Sequence, residues 1–186
     1  MGIIIYTDGA CRGNPGPGGC AAIIDDDNRQ TELSCGYRWT TNNRMEIRSV
    51  IAALEVIETG APVHLVSDSQ YVLNALSKGW ISGWKRKNWV TTAREPVKNR
   101  DLWEHLDGLI ANHAMTYKWV RGHASHPLNN RCDEMAVAAA LGGALAIDSE
   151  YEAINSFPGS TLPPVQAAAL VVIATSAGQA EFPGFL

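Results

Sequence analysis

The sequence has few cysteines, and they are not arranged as a zinc site would require. Four cysteines occur among 186 residues, and no two form a Cys-x-x-Cys pair. Because 46% of the residues are hydrophobic, the chain can bury a core without disulfides. We therefore expect one domain with reduced, half-buried thiols, located in the cytoplasm. A basic, apolar leader with a cleavage site is also missing, so no signal peptide is predicted.

Charge is scarce and unevenly distributed. Charged residues make up 18% of the chain, below the usual quarter, and the net charge of −4 by itself argues against a nucleic-acid ligand. Residues 78–100, however, contain seven of the 15 lysines and arginines against the single acid Glu95. The chain therefore carries a local basic patch on an otherwise acidic body.

Hydrophobic patterns and turn signals predict three strands, followed by helices that alternate with two further strands. The strands are predicted at residues 2–8, 20–24, 31–39, 62–66 and 115–120. The helices are predicted from the capping residues 40–43 to Gly60, and at 69–76, 99–111 and 129–141. Residues 9–19, rich in glycine and proline, are predicted to form a loop. This order is typical of an α/β fold, in which helices flank a mixed sheet.

The C-terminal segment differs in composition from the rest of the chain. From Phe157 onward, prolines and glycines recur and the only charged residue is Glu181. The apolar run Ala167–Ala174 is too short to span a bilayer. Residues 151–186 are therefore expected to form a tail, partly disordered or packed back on a domain at residues 1–150, and we assign it no function.

Four carboxylates occupy positions where a charge beside buried surface needs compensation. Asp8 and Asp68 each follow an apolar, strand-like run, Glu46 lies in the first turn of a predicted helix, and Asp133 lies in a helix rich in Met and Ala. A buried carboxylate is costly unless it is compensated. A hard divalent cation such as Mg²⁺ compensates several oxygen ligands at once.

These four acids are predicted to converge on one edge of the sheet. The carboxyl ends of neighbouring strands, where Asp8 and Asp68 are expected, form the edge at which α/β sheets bind ligands. Glu46 and Asp133 can reach the same edge, and a cluster of this kind can hold two metal ions for phosphodiester hydrolysis. Taken singly, each acid has a simpler explanation, as a turn residue or as a partner of a helix dipole.

The sequence around these acids resembles bacterial ribonuclease HI. The similar segments are Thr7–Gly19, Thr40–Glu46, Ser67–Val72, Trp119–Ala124 and Asn130–Glu134, in the family's order and with family-like spacing. The resemblance covers about residues 1–150. It implies a ribonuclease H-like fold, with a five-stranded mixed sheet of three antiparallel and then two parallel strands. It also implies endonucleolytic cleavage of the RNA strand of RNA–DNA hybrids, which leaves 5′-phosphate and 3′-hydroxyl ends.

The resemblance also assigns roles to individual residues. The family's metal-binding carboxylates match Asp8, Glu46, Asp68 and Asp133, which would hold two Mg²⁺ ions, with Mn²⁺ as an alternative. Its loop histidine matches His123, whose neutral imidazole can move a proton near pH 7. The neighbouring His126 is expected to be merely solvated. Hybrid contacts are expected from Cys11, Asn14, Thr41, Asn42, Asn43, Gln70, Trp84, Lys85, Arg86, Lys87 and Trp89.

The chemistry of these contacts follows from the substrate. An enzyme that selects RNA must read the 2′-hydroxyl, for which the 9–19 segment and Asn14 are suited. Cations of the basic protrusion, residues 80–89, would neutralise phosphates and make binding salt-dependent. Trp84 and Trp89 either pack on deoxyribose or anchor a helix, whereas Trp80 is expected in the core.

Two positions depart from the family's DNA-phosphate pocket. Family members with this pocket carry an arginine two residues before the threonine that matches Thr41, and here that position is Trp39. They also carry an asparagine just before the second tryptophan of the protrusion, and here that position is Gly83. The phosphate contact is therefore expected to be weaker, or shifted to Arg38. We expect affinity to suffer while the chemistry survives.

Two other functions are compatible with such a fold. A non-catalytic hybrid-binding module is disfavoured, because a mere binder has no reason to keep four repelling acids and His123. A recombinase or junction resolvase is disfavoured by the combination of Asn14, Asn42 and Gln70 with the basic protrusion. We expect a monomeric enzyme that does not associate with membranes.

Overall fold

The computed structural model describes residues 2–27, 29–122, 126–155 and 171–175. The strands are β1 (Ile3–Cys11), β2 (Gly16–Asp26), β3 (Arg29–Thr40), β4 (Pro62–Ser67), β5 (Ala114–Trp119) and β6 (Val171–Thr175). The helices are α1 (Asn42–Val56), α2 (Gln70–Ser77), α3 (Trp80–Arg86), α4 (Arg100–Ile110), α5 (Pro127–Leu141) and α6 (Ser149–Ile154). None of the helices in these ranges is both long and apolar enough to cross a membrane.

The strands form one mixed sheet in the order β5-β4-β1-β2-β3-β6. β1, β2 and β3 pair antiparallel, and β4 and β5 add parallel strands beside β1. The predicted five-stranded α/β architecture is thereby confirmed. β6 pairs antiparallel with β3 and adds a sixth strand that the sequence did not predict. Of the predicted tail, 151–186, only residues 151–155 and 171–175 are described.

Two layers of core lie on opposite faces of the sheet. Because side chains alternate along a strand, Ile5 and Leu65 face α1, α2 and α4, whereas Tyr6 and Val66 face α5. Trp103 of α4 is fully buried in the first layer. The edge of the sheet that carries the acids is thus approached by one helix on each face.

The predicted loop at 9–19 is wrong, because β1 and β2 extend into it and leave only residues 12–15 as the turn. A Cβ atom at Gly9 would collide with the backbone of α1 at Glu46, and one at Gly19 would collide with the backbone of α5. These glycines occur in strands because helices pack directly on their backbone. Their abundance reflects close approach rather than chain reversal.

The boundaries of α1 correct two further predictions. The helix ends at Val56, four residues before Gly60. It begins at Asn42, with Thr41 as the extended N-cap, so Glu46 is its fifth residue. Glu46 therefore lies one turn into the helix, beyond the first turn where acids interact best with the helix dipole.

A buried ion-pair network ties α1 to the segment after α5. Asp148 is fully buried and accepts hydrogen bonds from Thr40 Oγ1 (2.7 Å), Arg44 Nε (2.6 Å) and Arg48 Nη2 (3.0 Å). Arg44 also donates to Asp101 at the start of α4 (2.9 Å). Burial raises the pKa of Asp148, but the hydrogen bonds and charges of the two arginines outweigh it, so the net pKa is lowered.

Candidate active site

One pocket of about 350 Å³ brings together the four carboxylates that were predicted to bind metal. It is lined by Asp8, Gly9, Ala10, Cys11, Asn42, Glu46, Asp68, Ser69 and Asp133. These residues come from β1, α1, the junction of β4 with α2, and α5. The pocket therefore collects acids that are up to 125 residues apart in the sequence.

Asp8 and Asp68 lie next to each other on neighbouring strands. The pairing of β1 with β4 ends at Thr7 and Ser67, and each aspartate is the following residue. Asp68 ends its strand as predicted. Asp8 does not, because β1 continues past it and pairs with β2 opposite Ala21. The backbone of Asp8 is thus held on one side by β2 while its side chain borders the pocket.

Both carboxylate oxygens of Glu46 have a hydrogen-bond donor. Asn42 Nδ2 donates to Oε1 at 2.8 Å, and Ser69 Oγ donates to Oε2 at 2.6 Å. Ser69 is also the N-cap of α2 and accepts from the backbone N–H of Val72. Ser69 was not among the predicted site residues. Its place directly after Asp68, before a short helix, is the sequence signal that could have identified it.

Asp133 reaches the pocket from the opposite face of the sheet, since α5 packs on the face away from α1. It is half-buried, like Asp8, Glu46 and Asp68, and Val137, one turn further along α5, is 40% exposed. The buried face of α5 runs through Cys132 and Ala136 instead.

The electrostatics of the pocket disfavour four simultaneous negative charges. Burial raises the pKa of Asp8 to about 8, and the charges of Asp68, Asp133 and Glu46 contribute to the increase. Burial also raises the pKa of Glu46, and Asp68 adds to that effect, while the hydrogen bonds from Ser69 and Asn42 oppose it. Removal from water and the like charges of neighbouring acids act in the same direction here.

The donor set fits a hard divalent cation. Four carboxylates offer only oxygen ligands, which Mg²⁺ and Mn²⁺ prefer, and a cation would relieve their mutual repulsion. The side chains do not form a ready-made cage, since within the described ranges no three Asp, Glu, His or Cys side chains are grouped as a metal site. The fit therefore rests on donor chemistry and charge.

The predicted proton-transfer residue, His123, lies outside the described residues. Gly122, immediately before it, packs against the carboxylate of Asp68. His126 was expected to be merely solvated, and this is wrong. It is the half-buried N-cap residue of α5, and its ring lies 5.2 Å from that of Tyr6.

Several predicted hybrid-binding residues form one rim of the pocket. Asn14 accepts a hydrogen bond from the backbone N–H of Asn42 at 3.0 Å, which joins the β1–β2 turn to the start of α1. Cys11 Sγ lies 3.5 Å from the carbonyl oxygen of Thr40. Gln70 is exposed at the start of α2. Asn42, which also orients Glu46, connects this rim to the acids.

A second pocket of about 820 Å³ adjoins this rim. Asn14, Thr41 and Asn43 line it together with the basic residues Lys98 and Arg100. The predicted phosphate-contacting Thr41 therefore faces a pocket that Arg44 and the acids Asp101, Glu104 and Glu150 also line, so its three basic residues are balanced by three acids.

The basic protrusion is built on α3, which carries Lys85 and Arg86 in its last turn. Lys87 follows as the C-cap, and both Arg86 and Lys87 are exposed. Lys85 forms an ion pair of 2.5 Å with Asp107 of α4. Part of its charge is therefore already balanced within the protein.

Of the tryptophans of the protrusion, Trp80 does not lie where the sequence predicted, and Trp89 takes the anchoring alternative. Trp80, expected in the core, is 37% exposed, whereas Trp89 is only 7% exposed and packs in the core. Trp89 thus has little surface with which to contact substrate. Trp84 is half-buried, with its ring 5.6 Å from that of Trp103, and can still offer one edge.

Arg38 does not replace the missing phosphate-binding arginine. Its guanidinium is held by Glu152 of α6, with Nη2 to Oε2 at 2.7 Å and Nε to Oε1 at 3.1 Å. Of the two predicted alternatives, a weaker phosphate contact or one shifted to Arg38, this ion pair favours the first. At Gly83, by contrast, an added Cβ atom would meet open space.

The sheet order and the acidic pocket define a ribonuclease H-like fold, and the comparisons agree. The sequence model of the family described as RNase H matches residues 1–141. Ribonuclease H of Nitratidesulfovibrio vulgaris (strain DP4) is 50% identical over 151 residues, which cover 81% of this chain and 97% of the relative. The chain therefore belongs to the ribonuclease H family of enzymes, as its motifs predicted.

Solved structures show the same architecture. LC9-RNase H1, a type 1 RNase H with the type 2 active-site motif, matches with a TM-score of 0.69 and 26% identity, covering 96% of this chain and 97% of its own. LC11-RNase H1, solved in complex with an RNA/DNA hybrid, matches with a TM-score of 0.55 and 24% identity, covering 74% and 96%. At that identity the second match supports the fold alone.

Proposed function

We propose that this chain hydrolyses the RNA strand of RNA–DNA hybrids endonucleolytically and leaves 5′-phosphate and 3′-hydroxyl ends. Two divalent cations, Mg²⁺ or Mn²⁺, would be held by Asp8, Glu46, Asp68 and Asp133. The observation that carries this proposal is the convergence of these four acids in one pocket of a ribonuclease H family member. Repelling carboxylates gathered at one site are characteristic of two-metal phosphodiester hydrolysis.

The residues of the chain would divide the work by position. Bound cations would supply an activated water molecule and neutralise charge on the phosphate. Asn42 and Ser69 hold the Glu46 carboxylate in one orientation through hydrogen bonds to its two oxygens. His123 would move a proton at the leaving group, because a neutral imidazole titrates near pH 7.

Hybrid recognition would use the pocket rim and the protrusion. Asn14 and Gln70 offer amide groups that can donate to and accept from sugar hydroxyls beside the acids. Arg86 and Lys87 present exposed cations that can neutralise phosphates, so affinity should fall with salt. We also propose that the enzyme is a monomer that acts in the cytoplasm, and its four free cysteines agree with a reducing compartment.

The direct test is a cleavage assay on three substrates. Labelled RNA–DNA hybrid, duplex DNA and duplex RNA would be incubated with Mg²⁺, with Mn²⁺ and with EDTA. We expect only the RNA strand of the hybrid to be cut, only with a divalent cation, and with 5′-phosphate ends. Cleavage of DNA would favour a different nuclease, binding without cleavage would favour a hybrid-binding module, and cleavage by Asp8→Asn would refute the metal site.

A further inference from the structure

Asp68 is held by the segment that leads toward His123. The backbone N–H of Val120 donates to Ser67 O at 3.0 Å, and Trp119 Nε1 donates to Asp68 O at 3.1 Å. Two residues after Val120, Gly122 lies against the Asp68 side chain. Residues 119–122 thus contact both the backbone and the carboxylate of Asp68.

The contact at Gly122 is confined to this carboxylate. A Cβ atom built on Gly122 would collide with Asp68 Oδ2, and the next nearest atoms, at 3.4 and 3.6 Å, are Cγ and Cβ of the same side chain. Gly122 is also not among the glycines with a positive φ angle, so its backbone conformation does not itself require glycine. What requires a glycine here is the space that the Asp68 carboxylate occupies.

Other closely packed glycines have a different role. At Gly9 and Gly19 an added Cβ atom would meet helix backbone, so substitution there would push whole elements apart. At Gly122 it would meet a side-chain atom, Asp68 Oδ2, and a side chain can shift where a helix backbone cannot. A methyl group at 122 would therefore move the Asp68 carboxylate and leave the fold in place.

We propose that Gly122 is a positioning residue for Asp68, and that the missing side chain at 122 keeps the Asp68 carboxylate directed into the acidic pocket. This inference rests on the proposed function, in which Asp68 binds a divalent cation. Asp68 interacts electrostatically with both Asp8 and Glu46, so a rotated carboxylate would change the donor arrangement of the whole site. Residues that orient metal ligands typically change metal affinity 10- to 100-fold when they are altered.

The test compares Gly122→Ala with Gly108→Ala. Gly108 is an exposed glycine of α4 with open space at its Cβ position, so it controls for the added methyl group. Mg²⁺ and Mn²⁺ affinities would be measured calorimetrically without hybrid, together with the Mg²⁺ concentration that gives half-maximal cleavage. For Gly122→Ala we expect roughly 10- to 100-fold weaker cation binding, a KM for hybrid near that of the unaltered chain, and partial recovery of kcat at high Mg²⁺.

A double-mutant cycle with Asp68→Ala separates positioning from folding. Asp68→Ala removes the carboxylate that a methyl at 122 would meet, so Gly122→Ala should then change neither cation affinity nor the melting temperature in EDTA. Destabilisation by Gly122→Ala that is equal in both backgrounds would overturn the inference. Unchanged cation affinity in the single variant would do the same. If the unaltered chain neither binds divalent cations nor cleaves hybrid, the proposed function itself fails.

Discussion

The hydroxyl group of Ser69 donates to Glu46 Oε2 at 2.6 Å while it accepts from the backbone N–H of Val72 at 3.2 Å. A hydroxyl has one proton, and the α2 cap leaves that proton directed at Glu46. The start of α2 therefore sets the orientation of an acid on α1. Ser69 links the end of β4, where Asp68 lies, to the helix that carries Glu46.

Replacing Ser69 with alanine should damage activity more than stability. Loss of the cap should destabilise the fold by about 1 kcal/mol, whereas loss of the donor that orients the Glu46 carboxylate should lower kcat by about tenfold or more. The measurements are kcat on hybrid and urea unfolding. Ser77→Ala is the matched control, because that hydroxyl donates to the carbonyl of Leu73 and, among the residues that the structure describes, has no bond to the acids. A Ser69→Ala enzyme with unaltered kcat would show that Glu46 needs no such support.

The Asp148 network should make stability depend on acid pH. The pKa of Asp148 is lowered on folding. Near the ordinary aspartate pKa of about 3.9, this carboxyl is therefore protonated to a greater extent in the unfolded chain than in the folded one. The stabilisation is therefore fully present above that pKa and is lost as pH falls through the lower folded value. Urea unfolding from pH 7 to 2 should show a steeper acid decline for the unaltered chain than for Asp148→Asn. Parallel curves would contradict this assignment.

At neutral pH the Asp148→Asn substitution should itself be strongly destabilising. It leaves Arg44, which is 2% exposed, without one of its two carboxylates, and breaking a buried pair costs about 3–5 kcal/mol. Glu104→Gln offers the contrast, since its pair with Arg100 is exposed and contributes about 0.3–0.5 kcal/mol. Urea unfolding at pH 7 measures both, and a similar loss in the two variants would count against the network.

Asp8→Asn should stabilise the metal-free protein and abolish its response to Mg²⁺. Because the pKa of Asp8 is raised to about 8, the folded chain at pH 7 must keep this carboxyl protonated while the unfolded chain does not, and asparagine removes that cost. In the unaltered chain, Mg²⁺ at 100 times its Kd should add about 2.7 kcal/mol of stability. Melting temperatures in EDTA and in Mg²⁺ measure both effects. Asp27→Asn, the same change in the β2–β3 turn, should respond to Mg²⁺ normally, and an unaltered chain indifferent to Mg²⁺ would exclude the proposed site.

Restoring the two missing phosphate contacts should lower the KM for hybrid. Trp39→Arg adds a cation near Thr41, and the open space beside Gly83 accommodates an asparagine. The combined variant should bind hybrid more tightly, with a steeper dependence on salt, while kcat changes little. Gly83→Ala controls for the altered helix propensity of α3. An unchanged KM would mean that the pocket beside Thr41 does not bind phosphate in this enzyme.

The features that were predictable from the sequence are those carried by local patterns. Hydrophobic patterns and turn signals located the five strands, and helical spacing located α1, α2, α4 and α5. The residues around Asp8, Glu46, Asp68 and Asp133 identified the family. Where burial depends on distant partners, local patterns failed. Trp89 and Trp80 differ in exposure because only Trp89 packs into the core beneath the protrusion, and nothing in the spacing of the segment distinguishes the two.

Long-range pairing was the second source of error. The bonds of Asp148 to Arg44 span 104 residues, and Arg38 is bound by Glu152, 114 residues away. Neither pair belongs to a motif, so the charge of Arg38 looked available for phosphate. β6, Val171–Thr175, has the β-branched composition of a strand, but its partner β3 lies more than 130 residues earlier and no local pattern identifies that pairing.

Glycine packing has a consequence for how the acidic site could be redesigned. The backbone of Gly9 touches that of Glu46, and Gly19 touches α5 within one turn of Asp133, so acids on both faces are separated by a single layer of peptide. The distance between the like-charged carboxylates on the two faces of the sheet is therefore set by uncharged backbone atoms. A designer wishing to admit a larger cation would change the thickness of this layer and leave the ligands themselves untouched.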